Sequence, residues 1–270
     1  MSHRYLLYID ILGFSDLVAK DEAKIEDLYE VLASLHAHDH DAFKCIIFSD
    51  TMLVYNLSFS GYQREPEYYL MFMCEFARDL LHRLTQRGIF FRAVITQGEF
   101  QHYELNSIPC FFGTSLIHAY QAEKRIKAIG LFLQSSLREY CDIFPKRRFN
   151  AEFDFVYITQ ALDDLERDSG GQFPLDAWYL EETDLIWMVT PELLHLIDLY
   201  TNSESSLPEK VKKKYRASIK FYERRYPAIT SFLKDNAFDI TRFSPKANWQ
   251  QVINRHPESM TWAVKTKNEF

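Results

Sequence analysis

Two aspartates stand where apolar segments give way to turns. Asp10 ends the apolar run of YIDILGFS just ahead of Gly13, and Asp50 follows Ser49 between the runs KCIIF and TMLVYNL. A carboxylate at the end of a buried strand is costly unless a cation pairs with it, and a metal ion is a common partner at the mouth of a sheet. Two such carboxylates at one edge would hold two divalent ions. That arrangement suits in-line attack at phosphorus, one ion activating an oxygen nucleophile and the other neutralising the leaving phosphates. Beside them Leu12, Gly13, Phe14 and Ser15 turn into a helix start, where free backbone N–H groups favour a polyphosphate. The plainer roles are a helix cap for Asp10 and an ordinary hairpin turn for Asp50. A cap sits immediately before the first turn, whereas Asp10 lies three residues before Gly13.

The elements that would position these residues follow from periodicity. Residues 4–11 predict a buried strand, and 15–35 a helix with Leu17, Val18, Ile25, Leu28, Val31, Leu32 and Leu35 along one face. The two apolar runs around Ser49 and Asp50 predict a tight hairpin. Residues 66–87 predict a helix with Pro66 in its first turn and Gly88 ending it. GIFFRAVITQGEF predicts a strand stopped at Gly98, followed by a loop over 101–110, a helix from Gly113 to about Lys127, and a strand over IGLFLQSS. The order β-α-β-β-α-β, then α-β, is that of a ferredoxin-like split βαβ unit: an α+β fold, a mixed sheet with helices on one face. In it the first strand and the hairpin are neighbours, so Asp10 and Asp50 converge. Beyond residue 140 only 191–200 and 208–235 carry a helical pattern. The expected organisation is a core over 1–140 and a largely helical extension over 141–270 that packs on the core or builds a dimer.

Composition excludes several classes. The chain of 270 residues is 47% hydrophobic, ample for a core, and its net charge of −7 argues against a general nucleic-acid or membrane surface. Cys45, Cys74, Cys110 and Cys141 show neither CxxC nor Cys/His ligand spacing, so neither a zinc site nor a disulfide framework is expected, and a reducing cytoplasm fits. The apolar run in MSHRYLLYID is too short for a signal peptide, and no segment approaches the ~20 residues of a membrane helix. His36, His38 and His40 in HAHDH suit a solvated loop better than a metal site, and KVKKKY with ERRY suits a solvated basic helix face.

Four ordered blocks over residues 5–134 together resemble the class III nucleotidyl cyclases. YIDILGFS resembles that family's first metal strand, with Asp10 as ligand and Ile11 offering its carbonyl; FSDTMLVY resembles its second metal hairpin, with Asp50 as ligand. FRAVITQGEF is similar to its Arg-x-Gly-x-His-x-Gly strand, keeping Arg92 and Gly98, and CFFGTSLIHAYQAE to its Trp-Gly block, with Phe112 and Gly113. The departures matter. Ile46 and Cys110 stand where the family reads the purine edge, and neither makes those hydrogen bonds, so the usual purine preference should be lost. Ile117 and Gln121 stand where the catalytic asparagine and arginine belong, which leaves the transition-state charge without its usual guanidinium unless Arg92, Lys124 or Arg125 supplies one.

The lost purine readers and the AYQAE ending most resemble the pyrimidine cyclases of Pycsar antiphage systems. That resemblance implies a homodimer with sites at the interface. It would make cyclic UMP or cyclic CMP from UTP or CTP with Mg2+ or Mn2+, as a second messenger for a separate effector. Asp10, Asp50 and Arg92 would be catalytic; Leu12–Ser15, Ile46, Cys110, Phe112 and Gln121 would contact substrate; Asp10, Ile11 and Asp50 would hold metal. The rival readings are a catalytically silent nucleotide-binding dimer and an adenylate cyclase with an altered base pocket.

Overall fold

The computed structural model describes residues 2–57, 65–182 and 184–253. The chain divides into two compact units, residues 1–80 with 89–158, and residues 81–88 with 159–270.

The first unit is built on a mixed sheet. Its strands are β1 (Ser2–Leu12), β2 (Phe43–Phe48), β3 (Thr51–Asn56), β4 (Phe90–Leu105), β5 (Ile108–Phe112), β6 (Gly130–Gln134), β7 (Lys146–Arg148) and β8 (Phe153–Val156). They lie in the order β2-β3-β1-β4-β6-β8-β7, with β5 paired to β4. Only β4 and β6 pair in parallel; the other neighbours are antiparallel. The helices are α1 (Phe14–Lys20), α2 (Glu22–Ala33), α3 (Glu65–Leu84) and α4 (Thr114–Arg125). β1 is central, bonded on both sides, and its run from Tyr5 to Ile9 is fully buried. Alternate residues of a strand point to opposite faces. Tyr5 accordingly meets Tyr69 of α3, while Leu6 and Tyr8 join Ala119 of α4 with Leu53, Tyr55 and Phe100. Helices therefore cover both faces, α3 on one and α4 on the other, not the single face expected: β1 is apolar on both sides, and each side has to be covered.

The structure differs from the expected elements at several places. The single helix expected over 15–35 is two, because Asp21 leaves helical geometry and its carboxylate accepts the Lys24 N–H at 3.1 Å, capping α2. β4 does not stop at Gly98. It runs on to Leu105 and turns back as β5 through Asn106 and Ser107, both at positive φ, the backbone of a two-residue hairpin turn. The expected loop over 101–110 is therefore an antiparallel arm. β8 pairs with β6 and β7 with β8, so the first unit continues past residue 140 to Ile158.

In the second unit, α5 (Gln160–Asp168), α6 (Ala177–Glu182), α7 (Leu185–Glu204), α8 (Glu209–Arg225) and α9 (Pro227–Asp235) form the helical part. The expected helix over 208–235 divides at Tyr226, with Pro227 opening α9, where its missing N–H costs nothing. Leu193, Leu196, Leu199, Tyr222, Tyr226, Ile229 and Leu233 are buried. Glu192 is fully buried among them, accepting the Leu162 N–H at 2.9 Å with His82 Nε2 at 3.3 Å. Residues 254–270 of the expected extension lie outside the described residues. Among the described residues no helix is long and apolar enough to cross a membrane.

Candidate active site

Asp10 sits on β1 directly opposite Thr51 of β3 and Arg92 of β4. The β2–β3 turn brings Asp50 alongside: the Ile11 N–H donates to the Asp50 carbonyl at 2.9 Å. Ser49, at φ 54°, makes the turn tight, and the Tyr29 hydroxyl of α2 donates to its carbonyl at 3.2 Å. Phe14, at the start of α1, lies edge-on to Tyr29, so the Gly13 turn and the hairpin tip are both anchored to α2. Gly13 at φ 76° takes a left-handed backbone that a side chain disfavours, and its carbonyl accepts from Asp16 and Leu17. The structure thus brings Asp10, Ile11, Leu12, Gly13, Phe14, Ser15 and Asp50 to one end of the sheet.

Arg92 is differently disposed. Its side chain is only 2% exposed. Nε donates to the Ala128 carbonyl at 3.0 Å, and Nη1 donates to both the carbonyl and Oε1 of Glu123 in the last turn of α4. Nη2 is buried with no hydrogen-bond partner among the described residues. The guanidinium is held against Glu123 and beside Asp10. Burial pushes the Asp10 carboxyl up to about 7; the charges of Glu123 and Asp50 push the same way and Arg92 opposes them. Burial also lowers Arg92, opposed by Glu123 and Asp10.

Asp10 and Glu123 stand against one guanidinium and Asp50 acts on Asp10, so negative charge exceeds positive at this end of the sheet, and carboxylate oxygens are what a divalent cation takes as ligands. Among the described residues no three His, Cys, Asp or Glu side chains are grouped closely enough to hold an ion by themselves. An ion here would take its remaining oxygens from water and substrate phosphates, the usual habit of Mg2+.

Of the other expected contacts, Ile46 lies on the sheet face that α4 covers, whereas Cys110 and Phe112 alternate along β5 with Phe111, which packs on that face, and so point to the other side. Ile46 packs, half-buried, against the Tyr8–Leu53–Phe100 cluster. Cys110 lies on β5 with Sγ 3.6 Å from the Ile108 carbonyl. Phe112 is 43% exposed at the end of β5 and meets the Tyr103 ring edge-on. Gln121 is exposed on α4. Of the cations on α4, Arg125 is paired with Glu152 at 2.7 Å and Lys124 lies over the Tyr120 ring. Gly113 is fixed sterically: at φ 155°, a Cβ there would stand 2.1 Å from the Glu99 carbonyl oxygen. This close approach seats α4 on β4.

Glu123 is the residue that sequence reasoning missed. The signal was present in AYQAE: Ala119 and Ala122 are small because they face the sheet, and Glu123, four residues after Ala119, shares their face.

The chain matches no protein-family model and no curated protein. Among solved structures it is similar to the guanylyl cyclase Cya2, with 11% identity over 57% of this chain and 91% of that one, at a TM-score of 0.38. It is also similar to the guanylate cyclase domain of RhGC from Catenaria anguillulae in complex with GTP, with 11% identity over 57% and 96%, at a TM-score of 0.43. A third is the adenylyl cyclase CyaB from P. aeruginosa, with 11% identity over 57% and 93%, at a TM-score of 0.40.

Proposed function

We propose that the chain is a nucleotide cyclase that converts UTP or CTP to the 3′,5′-cyclic monophosphate and pyrophosphate. The observation that carries this is the convergence of Asp10 and Asp50 at one sheet end, fixed by the Ile11–Asp50 backbone bond. Asp10, Asp50 and the Ile11 carbonyl would hold two divalent ions, Mg2+ or Mn2+. When bound, such ions activate the ribose 3′-hydroxyl and neutralise the phosphates. The chain's own residues do the rest. Arg92, held by Glu123, offsets the charge of Asp10 and acts as a positioning residue. The backbone of Leu12–Ser15 lies beside the two aspartates, where leaving pyrophosphate would be held.

Pyrimidine selectivity is inferred from the residues that stand at the two purine-reading positions. Ile46 offers only apolar contact and Cys110 a thiol, so a purine edge would lose hydrogen bonds that neither restores. A second copy of the chain is the expected partner. The β4–β5 arm exposes Tyr103, Leu105, Ile108 and Phe112, an apolar strip that a homodimer would cover. In this reading the product is a second messenger for a separate effector in antiphage defence.

The commitment of Arg92 to Glu123 favours one rival, a dimer that binds nucleotide without turnover. One experiment separates them. The purified protein is incubated with each of ATP, GTP, CTP and UTP plus Mn2+, and the products are identified by mass spectrometry. A cyclic product from UTP or CTP alone, lost in Asp50→Ala, is expected. A cyclic product from ATP would restore the adenylate cyclase. Nucleotide binding without any cyclic product would favour the silent dimer, and cyclase activity retained in Asp50→Ala would overturn the assignment of Asp50.

A further inference from the structure

Away from Asp10, toward the other end of β1, a cavity of about 330 Å³ opens between Arg4, Lys44, Tyr55, His102, Tyr103 and Glu104. Arg4 and Asp10 are six residues apart on one strand, roughly 20 Å at the rise of a β-strand. The cavity is therefore distinct from the aspartate site within one chain.

Its walls come from four strands in fixed register. Lys44 of β2 lies opposite Tyr55 of β3, and Tyr55 opposite Leu6 of β1. His102 stands on β4 beyond the last β1 pair, Ser2 with Phe100. The Tyr55 hydroxyl is 2.6 Å from His102 Nδ1. Burial raises the Tyr55 phenol, and in one of the two tautomers this bond allows, Tyr55 donates to Nδ1. The neutral imidazole then carries its own proton on Nε2, which has no acceptor among the described residues.

The fixed charges are unequal. The Arg4 guanidinium lies 5.5 Å from the Tyr55 ring centre, with Nη1 donating to the carbonyls of Asn56 and Leu57 and Nε to Ser2 Oγ at 3.1 Å. It is part of the wall. Lys44 has no hydrogen-bond or ion-pair partner among the described residues, and Glu104 is the one carboxylate lining the cavity. Two cations and an unused imidazole N–H against one carboxylate make a site short of negative charge. The Tyr55 ring and Leu57 give it an apolar part as well, the usual composition of a small-molecule pocket.

We infer that this cavity binds a small molecule through a phosphate or carboxylate group placed between Lys44, Arg4 and His102, with its uncharged part against Tyr55 and Leu57. The inference is independent of the reaction at Asp10. A proton is linked to it. The groups facing His102 are Lys44, Glu104, Arg4 at the cavity wall, the Tyr55 hydroxyl and the Phe111 ring. Burial and the Lys44 charge hold His102 below its ordinary value, against the pull of Glu104. An anion beside Lys44 cancels that repulsion, so His102 takes up a proton on binding and affinity rises as pH falls.

The test uses the full chain with a chelator present and follows the histidine ring 15N signals by NMR. Inorganic phosphate is titrated at constant ionic strength, with acetate in a parallel arm to separate phosphate from carboxylate recognition. His102 is expected to shift saturably and to titrate at higher pH with phosphate or acetate bound, while exposed His36 does not respond. Lys44→Gln should weaken the midpoint at least about five-fold, the effect of losing one charged contact, and Lys44→Arg should restore it. A His102 shift linear in anion concentration and matched by His36 would overturn the site. So would an unchanged midpoint in Lys44→Gln, whose exposed position leaves the fold intact.

Discussion

Replacing Asp10 by asparagine tests the electrostatics of the aspartate site without any assumption about its chemistry. Burial and Glu123 raise the Asp10 carboxyl from an ordinary 3.8 to about 7, so the folded chain holds a proton there that the unfolded chain releases. The sign follows from linkage. A carboxyl raised in the folded state is neutral and harmless below pH 3.8, and stability is lost as pH climbs toward 7. A gap of about three pH units corresponds to roughly 4 kcal/mol as an upper bound. Asp10 is only half-buried, and solvent screening brings the expected loss to about 2 kcal/mol. Asp10→Asn removes the titration and keeps the shape. In metal-free buffer with a chelator, the variant should gain about 2 kcal/mol on the parent between pH 4.5 and 8. Urea unfolding must be followed by circular dichroism, because all four tryptophans lie beyond residue 158 and report on the second unit. A stability difference between the two proteins that stays constant from pH 4.5 to 8 would refute the description of Asp10 as a raised, proton-holding carboxyl.

Two further substitutions probe the frame. Gly113→Ala would put a Cβ 2.1 Å from the Glu99 carbonyl oxygen at a φ of 155°, so the first unit should lose at least about 3 kcal/mol; a near-parental melting midpoint by circular dichroism would show that α4 is not seated by that contact. Glu192→Ala would strip the Leu162 N–H and His82 of their buried acceptor, and the second unit should lose about 3 kcal/mol by tryptophan emission. A loss under 1 kcal/mol would mean that water replaces the carboxylate.

The frame of the site was legible because local signals and global packing agree there. An apolar run ending in Asp10, a glycine turn, and two β-branched runs two residues apart leave one way to bury their apolar faces, and that way joins β1 to the hairpin. The arm was missed for the opposite reason. Gly98 suggests a strand end, but its lack of a side chain serves α4: a Cβ there would come within 2.9 Å of Thr114 Oγ1. Glycine marked a close approach, not a stop. Glu123 was missed because its partners Arg92 and Asp10 are on other elements, and neither periodicity nor spacing carries that information. The division at Asp21 shows how one capping carboxylate interrupts an otherwise helical pattern.

The double pairing of β1 also governs where the chain tolerates changes in length. Inserting or deleting one residue before Asp10 would carry the aspartate to the opposite face, against the α3 side, and would break register with β3 and β4 together. The Asn106–Ser107 turn is bound to one neighbouring strand and opens to solvent, so extra residues there lengthen only the arm. Natural variation and engineered tags should accumulate at that turn, while the length of β1 stays invariant even where its apolar residues exchange freely.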